Sequence, residues 1–251
     1  MKWEGMTSAE IAAADRKTPV VLGIAAIEQH GPHLPVNTDA VIGQHFLEAV
    51  DARLGPDVLI LPPVQVCCSE HHMDFVGTLT VRHETLIAYV GDILDSVAAH
   101  GFRTMMLFNS HGGNQAIGQV ILERFGARHP DCRIALLTWW RAAGPELAAI
   151  TESGFGGVGH ACEFETSLIM LAQPDAVRKD RIPGRSKVPT FEWAQFDMLV
   201  GARGSLYRGM KEQSGGTGVV GDPSFASAEK GERITATVVD TTAGIIRSLR
   251  Q

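Results

Sequence analysis

An α/β fold, built on a mostly parallel sheet with helices over both faces, is what this 251-residue chain predicts. Two observations carry it. Short apolar, β-branched runs recur along the chain, and longer segments with three- and four-residue apolar spacing lie between them. Strands that alternate with helices close most readily into a parallel sheet covered on both sides. With 45% hydrophobic and 20% charged residues, the chain has enough apolar surface for one sizeable core. Residues 1–251 therefore read as a single domain.

The elements follow in order. Residues 19–27 are uniformly apolar and short, the pattern of a strand buried on both faces. Residues 39–54 then place Leu47, Val50 and Leu54 at helical spacing. A second strand is expected at 58–61, followed by a helix at 84–100 carrying Leu86, Val90, Leu94 and Val97. The pair repeats as a strand at 104–108 and a helix at 114–129, and a fourth strand is expected at 133–137. From about 182 to 222 the order breaks down. Pro183, Pro189 and seven glycines between Gly201 and Gly221 surround the aromatic group Phe191, Trp193 and Phe196, too many breakers for a regular element. This excursion reads as a lid or an oligomer contact. Helical spacing resumes at 226–250 through Ile234, Val238, Val239 and Ile245.

Charge and cysteine usage exclude several classes. A formal net charge of −6 leaves no electrostatic footprint for nucleic acid or an anionic membrane surface. No apolar run approaches ~20 residues, and the start shows no charged segment followed by an apolar core, so the cytoplasm is expected. Cys67, Cys68, Cys132 and Cys162 lack metal or redox spacing and read as free thiols. The stretch 217–223 has the glycines of a phosphate loop but not its Gly-Lys-Ser/Thr ending, which argues against nucleotide binding.

Three motifs carry chemistry. The run Glu28-Gln29-His30-Gly31-Pro32-His33-Leu34-Pro35-Val36-Asn37-Thr38-Asp39 follows the first strand. If that strand continues through Glu28 and His30, both side chains leave one face, and the turn at Gly31, Pro32 and Pro35 can bring Asp39 back to them. Two carboxylates with an imidazole suit Zn, Mn or Fe(II) better than Ca or Cu(I). His30 is the expected ligand. Pro32 forbids the helix that would align His33 with it, which leaves His33 supporting the site or facing substrate. Next, Asn109-Ser110-His111-Gly112-Gly113-Asn114 joins a strand to a helix, the place where open α/β sheets bind ligands. Its glycines permit a tight turn, and free N–H groups at the helix start can meet an anionic group. The third motif, His160-Ala161-Cys162-Glu163-Phe164-Glu165-Thr166-Ser167, offers a histidine and two carboxylates before an apolar helix. Helical spacing pairs His160 with Glu163, but spacing alone does not choose between Glu163 and Glu165. Ser69-Glu70-His71-His72-Met73-Asp74-Phe75 is polar and histidine-rich and is expected to line the pocket.

Together these motifs, in this order, resemble the creatininase family of metal-dependent amidohydrolases. Gly77-Thr78-Leu79, Gly221-Asp222-Pro223 and Ala228-Glu229-Lys230-Gly231 extend the resemblance over nearly the whole chain. It implies an α/β/α sandwich, usually hexameric, with two divalent metals (Zn, Mn or Fe) at the sheet's carboxyl edge. Glu28, His30, Asp39 and His111 would be ligands, with Asp39 bridging. The resemblance also favours Glu165 as ligand and His160 as proton shuttle; from their positions in the motifs, Ser69, His33, Gly112 and Gly113 are expected toward substrate. Two departures bear on substrate. Creatininases proper carry Tyr-Glu where this chain has Gly112-Gly113, and tend to carry a tryptophan where it reads Gly156-Gly157. Relatives with His-Gly-Gly-Asn include enzymes that deformylate opened purine- or pyrimidine-like intermediates and a peptidase that trims a cofactor-precursor peptide. The expectation is a homo-oligomeric hydrolase of a non-peptide C–N amide bond in a small cyclic or formamide-like molecule. A metallopeptidase acting on a small precursor peptide and a silent scaffold subunit are the alternatives.

Overall fold

The computed structural model describes residues 1–250; residue 251, the last of the predicted domain, lies outside them. Strands β1 (Val20–Ile24), β2 (Leu59–Val64), β3 (Thr104–Asn109) and β4 (Arg133–Thr138) form one sheet in the order β2-β1-β3-β4, with every neighbouring pair parallel. The helices are α1 (Ser8–Ala13), α2 (Thr38–Leu54), α3 (His83–Ala99), α4 (Asn114–Arg128), α5 (Trp139–Ala142), α6 (Gly144–Ala148), α7 (Glu163–Ala172), α8 (Met210–Gln213) and α9 (Ala228–Leu249). Successive strand side chains point to opposite faces, so a doubly covered sheet divides its strands between two cores. Val21, Met106 and Phe108 join Phe46 of α2, Phe164 and Leu168 of α7, and Ile234 and Val238 of α9. Val20, Leu22, Ile24, Met105 and Leu107 join Leu86, Val90 and Leu94 of α3 and Ile117, Ile121 and Phe125 of α4. The result is a three-layer α/β/α arrangement. Among the described residues no helix is long and apolar enough to cross a membrane.

The first strand is shorter than its apolar run. The apolar run predicts a strand over 19–27, but the strand ends at Ile24, so the condition under which it would carry Glu28 and His30 is not met. Its neighbours set the limit. Ile24 pairs with Asn109, the last residue of β3, and on the other side the register slips between Leu22 and Ile24 opposite Pro62-Pro63. Those prolines have no N–H to donate and are tolerated because β2 is an edge strand. Glu28 and His30 therefore sit on a loop. The excursion at 182–222 has only a 3₁₀ turn at Glu192–Ala194 and the single turn of α8, and it is tied down by bridges from Ser186 to Gly221 and from His160 to Val220.

Candidate metal centre

β2 lies on one side of β1 and β3 on the other, so the loops leaving β1 and β3 flank the crevice where the direction of winding reverses. In the first loop Glu28 N–H donates to Val36 O (2.8 Å), and a turn between His30 and Leu34 is made by Gly31 at φ +64°. A Cβ on Gly31 would lie 2.5 Å from Val219 Cγ2, so glycine is required twice over. The loop delivers Asp39 into the first turn of α2, where the helix N-terminus favours its charge. The β3 turn is braced by Asn109, which accepts from His111 N–H (3.1 Å) and donates to His111 O (2.8 Å).

Three rings are fixed through backbone carbonyls. His30 Nδ1–H donates to Glu28 O (3.0 Å), which turns Nε2 toward Asp39 Oδ1 (3.3 Å) and Glu165 Oε1 (4.0 Å). His111 Nε2–H donates to Cys68 O (3.0 Å) and leaves Nδ1 3.0 Å from Asp39 Oδ2 and 3.3 Å from Glu28 Oε1. His160 places Nε2 2.8 Å from Gln29 O and Nδ1 3.7 Å from Glu28 Oε1. It is followed by Ala161 at φ +50°, a left-handed conformation that costs a non-glycine residue roughly 1–2 kcal/mol and is held by complete burial.

Glu28, Asp39 and Glu165 are all buried, yet among the described residues their charged neighbours are histidines, with no lysine or arginine in reach. Glu28 Oε2, His30 Nε2 and Asp39 Oδ2 are buried without a hydrogen-bond partner. Carboxylates and imidazole nitrogens that converge unpaired fit a divalent cation, because burying them without one is expensive. Without a cation, protons fill the role. Burial disfavours a charged His30, but the Asp39, Glu165 and Glu28 carboxylates outweigh it and raise its pKa to about 9. Burial, with Asp39 and Glu28 nearby, pushes Glu165 up to about 7. Burial and neighbouring rings push His72 and His160 down, so both are neutral. A histidine raised from 6.5 to about 9 adds stability that is present below 6.5 and lost as pH rises through 9. Chelator-treated protein is therefore expected to melt lower at pH 9 than at pH 7, with added Zn²⁺ removing the difference. Equal melting points at both pH values in the chelated protein would contradict the arrangement.

The structure brings Glu28, His30, Asp39, His111, His160 and Glu165 together and separates Glu163 from them. Glu163 accepts from Thr151 Oγ1 (2.8 Å), Glu152 N–H (2.9 Å), Ser153 and the buried ammonium of Lys230. Burial raises its pKa, but these donors more than offset that and lower it. Glu165→Gln is expected to weaken metal binding. Glu163→Gln should leave binding nearly intact while destabilising the fold by roughly 1–3 kcal/mol, because Lys230 keeps only the exposed Glu152 (3.5 Å) as counter-charge. Metal titrations and denaturant melts on both variants test the pair.

Gly112 and Gly113 line the cavity beside His111, and a Cβ on Gly113 would stand 2.7 Å from Cys68 O. Ser69 and His33 do not line it. Ser69 is wholly buried 3.5 Å behind His111 Nε2, because Ser69 N–H is drawn back to Thr80 Oγ1 (2.9 Å). His33 is turned inward by the 30–34 turn to Thr166 Oγ1 (2.9 Å), and burial lowers its pKa to about 4. Of the four residues expected toward substrate, these two lie outside the cavity lining, and His33 takes the supporting place that was its other expectation. Gln29, His71 and His72 were not singled out individually from sequence, although the histidine-rich stretch at 69–75 marked their neighbourhood. His71 and His72 each fall within ligand distance of Glu28 and a second histidine. Burial pushes Cys67 up to about 12 and Cys68 to about 11, so both stay protonated thiols.

Above these groups lies a cavity of about 700 Å³. Its outer wall is the excursion, through Lys187, Phe196, Arg203 and Tyr207, with Trp140 and Arg141 after β4. The family profile described as Creatininase, creatinine amidohydrolase, matches residues 4–246. The chain is 30% identical over 228 residues to a mycofactocin precursor peptide peptidase from Mycobacterium ulcerans (strain Agy99), covering 88% of this chain and 81% of that one. It is 28% identical over 254 residues to a creatinine amidohydrolase from Pseudomonas putida, covering 95% and 92%. A solved creatininase variant of the Zn-Zn type superposes with a TM-score of 0.82 at 25% identity, covering 98% of this chain and 97% of that chain.

Proposed function

Since the chain belongs to the creatininase family of hydrolases, we propose that it hydrolyses a non-peptide C–N amide bond, in a cyclic or formamide-like small molecule, with a pair of divalent metal ions. The observation that carries the reading is the convergence of buried, unpartnered Glu28 Oε2, His30 Nε2 and Asp39 Oδ2 on one centre. Glu28, His30, Asp39, His111 and Glu165 would hold the ions, for which Zn, Mn and Fe suit the donor set. Bound there, the ions supply a water of near-neutral pKa and polarise an amide carbonyl. His160 lines the cavity, and its bare Nδ1 faces the Glu28 carboxylate; it would take up the proton that the attacking water releases and pass it to the departing nitrogen, which leaves poorly without one. Gly112 and Gly113 leave the wall beside His111 free of side chains, which suits a substrate bulkier than a small flat ring.

The chain acts in this reading as one domain over 1–251 and as a homo-oligomer. Exposed Phe191, Trp193 and Tyr207 on the excursion support the assembly. A second reading, cleavage of a small precursor peptide, is favoured by the 700 Å³ cavity and by Arg141, Lys187 and Arg203 in its lining, which suit a substrate bearing a carboxylate. Zn²⁺- or Mn²⁺-loaded protein assayed against cyclic amides, formamides and short peptides separates the two. Turnover of peptides alone would replace the first reading with the second. Failure to take up metal, with no turnover of any substrate, would leave a scaffold.

A further inference from the structure

We propose that His72 is a positioning residue that holds its Nε2–H beside the Glu28 carboxylate, and that the Gln29 side chain sets this role by fixing which nitrogen of His72 carries the proton. The inference rests on the metal-binding reading above. His72 is 1% exposed, its Nε2 lies 3.3 Å from Glu28 Oε1, and together with Glu28 and His160 it forms a group that distance alone would credit with holding an ion. The hydrogen bonds behind the rings distinguish them.

His30, His111 and His160 each spend one N–H on a backbone carbonyl, at 3.0, 3.0 and 2.8 Å, and so turn a lone pair toward the centre. A carbonyl oxygen can only accept, which assigns those tautomers. His72 is arranged the other way round. Its Nδ1 meets the Gln29 amide nitrogen at 3.1 Å. The amide cannot be flipped to put oxygen there, because Gln29 Oε1 accepts from Gly31 N–H at 3.0 Å, and a flipped NH₂ would face that donor. An NH₂ group only donates, so His72 Nδ1 accepts and the proton of the neutral ring sits on Nε2, facing Glu28. Gln29 Nε2 also lies 3.1 Å from His160 Nε2. That contact is not the hydrogen bond, because His160 Nε2 already stands 2.8 Å from Gln29 O and needs its proton there. One residue thus sets two rings in opposite senses: its carbonyl leaves His160 Nδ1 bare, and its amide leaves His72 Nε2 protonated. Gly218 presses against the same amide, where a Cβ would collide with Gln29 Oε1, and Gln29 N–H is held by Thr78 Oγ1 (3.2 Å).

The test uses Co²⁺ alone, reloaded into metal-stripped protein and followed by visible absorption and competition titration. His72→Gln keeps an N–H near the Nε2 position but cannot replace an imidazole ligand. It is expected to retain the wild-type Co²⁺ band and stoichiometry, with affinity within about three-fold. His72→Leu removes the donor and is expected to weaken binding ~10- to 100-fold, the scale for losing a ligand's hydrogen-bond partner. Gln29→Glu leaves His72 in place but offers its Nδ1 an acceptor, and should weaken binding comparably, which keeps the test open if the leucine variant does not fold. A shifted band or a lost ion in His72→Gln would make His72 a ligand and overturn the proposal. Undiminished affinity in His72→Leu or in Gln29→Glu would overturn it as well. A wild-type protein that binds no Co²⁺ would instead remove the metal reading on which it rests.

Discussion

Asp39→Ala is expected to strip most of the divalent metal from the purified protein and with it essentially all hydrolysis. Its two oxygens face two different rings, Oδ1 toward His30 (3.3 Å) and Oδ2 toward His111 (3.0 Å). On the proposed two-metal reading a carboxylate so placed would serve both ions, and its removal would take a ligand from each. The loss should exceed the ~10- to 100-fold that removing an outer hydrogen-bond partner costs in metal affinity. Elemental analysis is the direct measurement. The wild type should carry close to two ions per chain and the variant a small fraction of that, with Asp39→Asn intermediate. Full occupancy in Asp39→Ala would show that the bridging position belongs to another group.

His160→Gln should do the opposite, keeping both ions and losing the reaction. The ring lines the cavity, and its Nε2–H is committed to Gln29 O, so only Nδ1 is free to exchange a proton with a substrate. Loss of a general acid usually lowers kcat ~100-fold or more. Because the missing step is proton delivery to the departing nitrogen, substrates whose nitrogen leaves easily should suffer less than poor leavers. An equal penalty across leaving groups, or metal loss in the variant, would move proton delivery elsewhere.

The sheet and its helices were readable because β1 and β3 are buried along their whole length and so are written as unbroken apolar runs. Where the runs misled, the cause lay outside the segment. Nothing in residues 19–27 reveals that β3 ends at Asn109 or that Pro62-Pro63 interrupts the ladder on the other side. The candidate ligands were readable because each sits in a short motif directly after a strand or before a helix. The choice between Glu163 and Glu165 was not, since Lys230, 67 residues further along, is what turns Glu163 away. The place of His72 was hidden for the same reason: it depends on a side-chain amide 43 residues earlier, whose orientation depends on a turn glycine. Ser69 and His33 lie beside the right motifs, but their backbones are pulled inward, and a string of residue types does not encode that direction.

The cavity is assembled from two unlike parts. Every converging carboxylate and imidazole comes from the loops and first helical turns at 28–39, 71–72, 111 and 160–165, whereas the outer wall at 187–210 contributes apolar, cationic, hydroxyl and glycine residues and no carboxylate or imidazole. The proposed chemistry and the shape of the cavity therefore rest on separate segments. On the proposed function, changes in that wall would be expected to alter the shape of the substrate accepted while leaving the reactive floor in place, which makes the segment a cassette, apart from Asp197 and Met198, which hold Gly156 and Val158 just ahead of His160. The cassette has a fixed downstream boundary. Gly218 presses on Gln29, Val219 packs against Gly31 and Val220 pairs with His160, so exchange must stop before residue 218 if the floor is to survive.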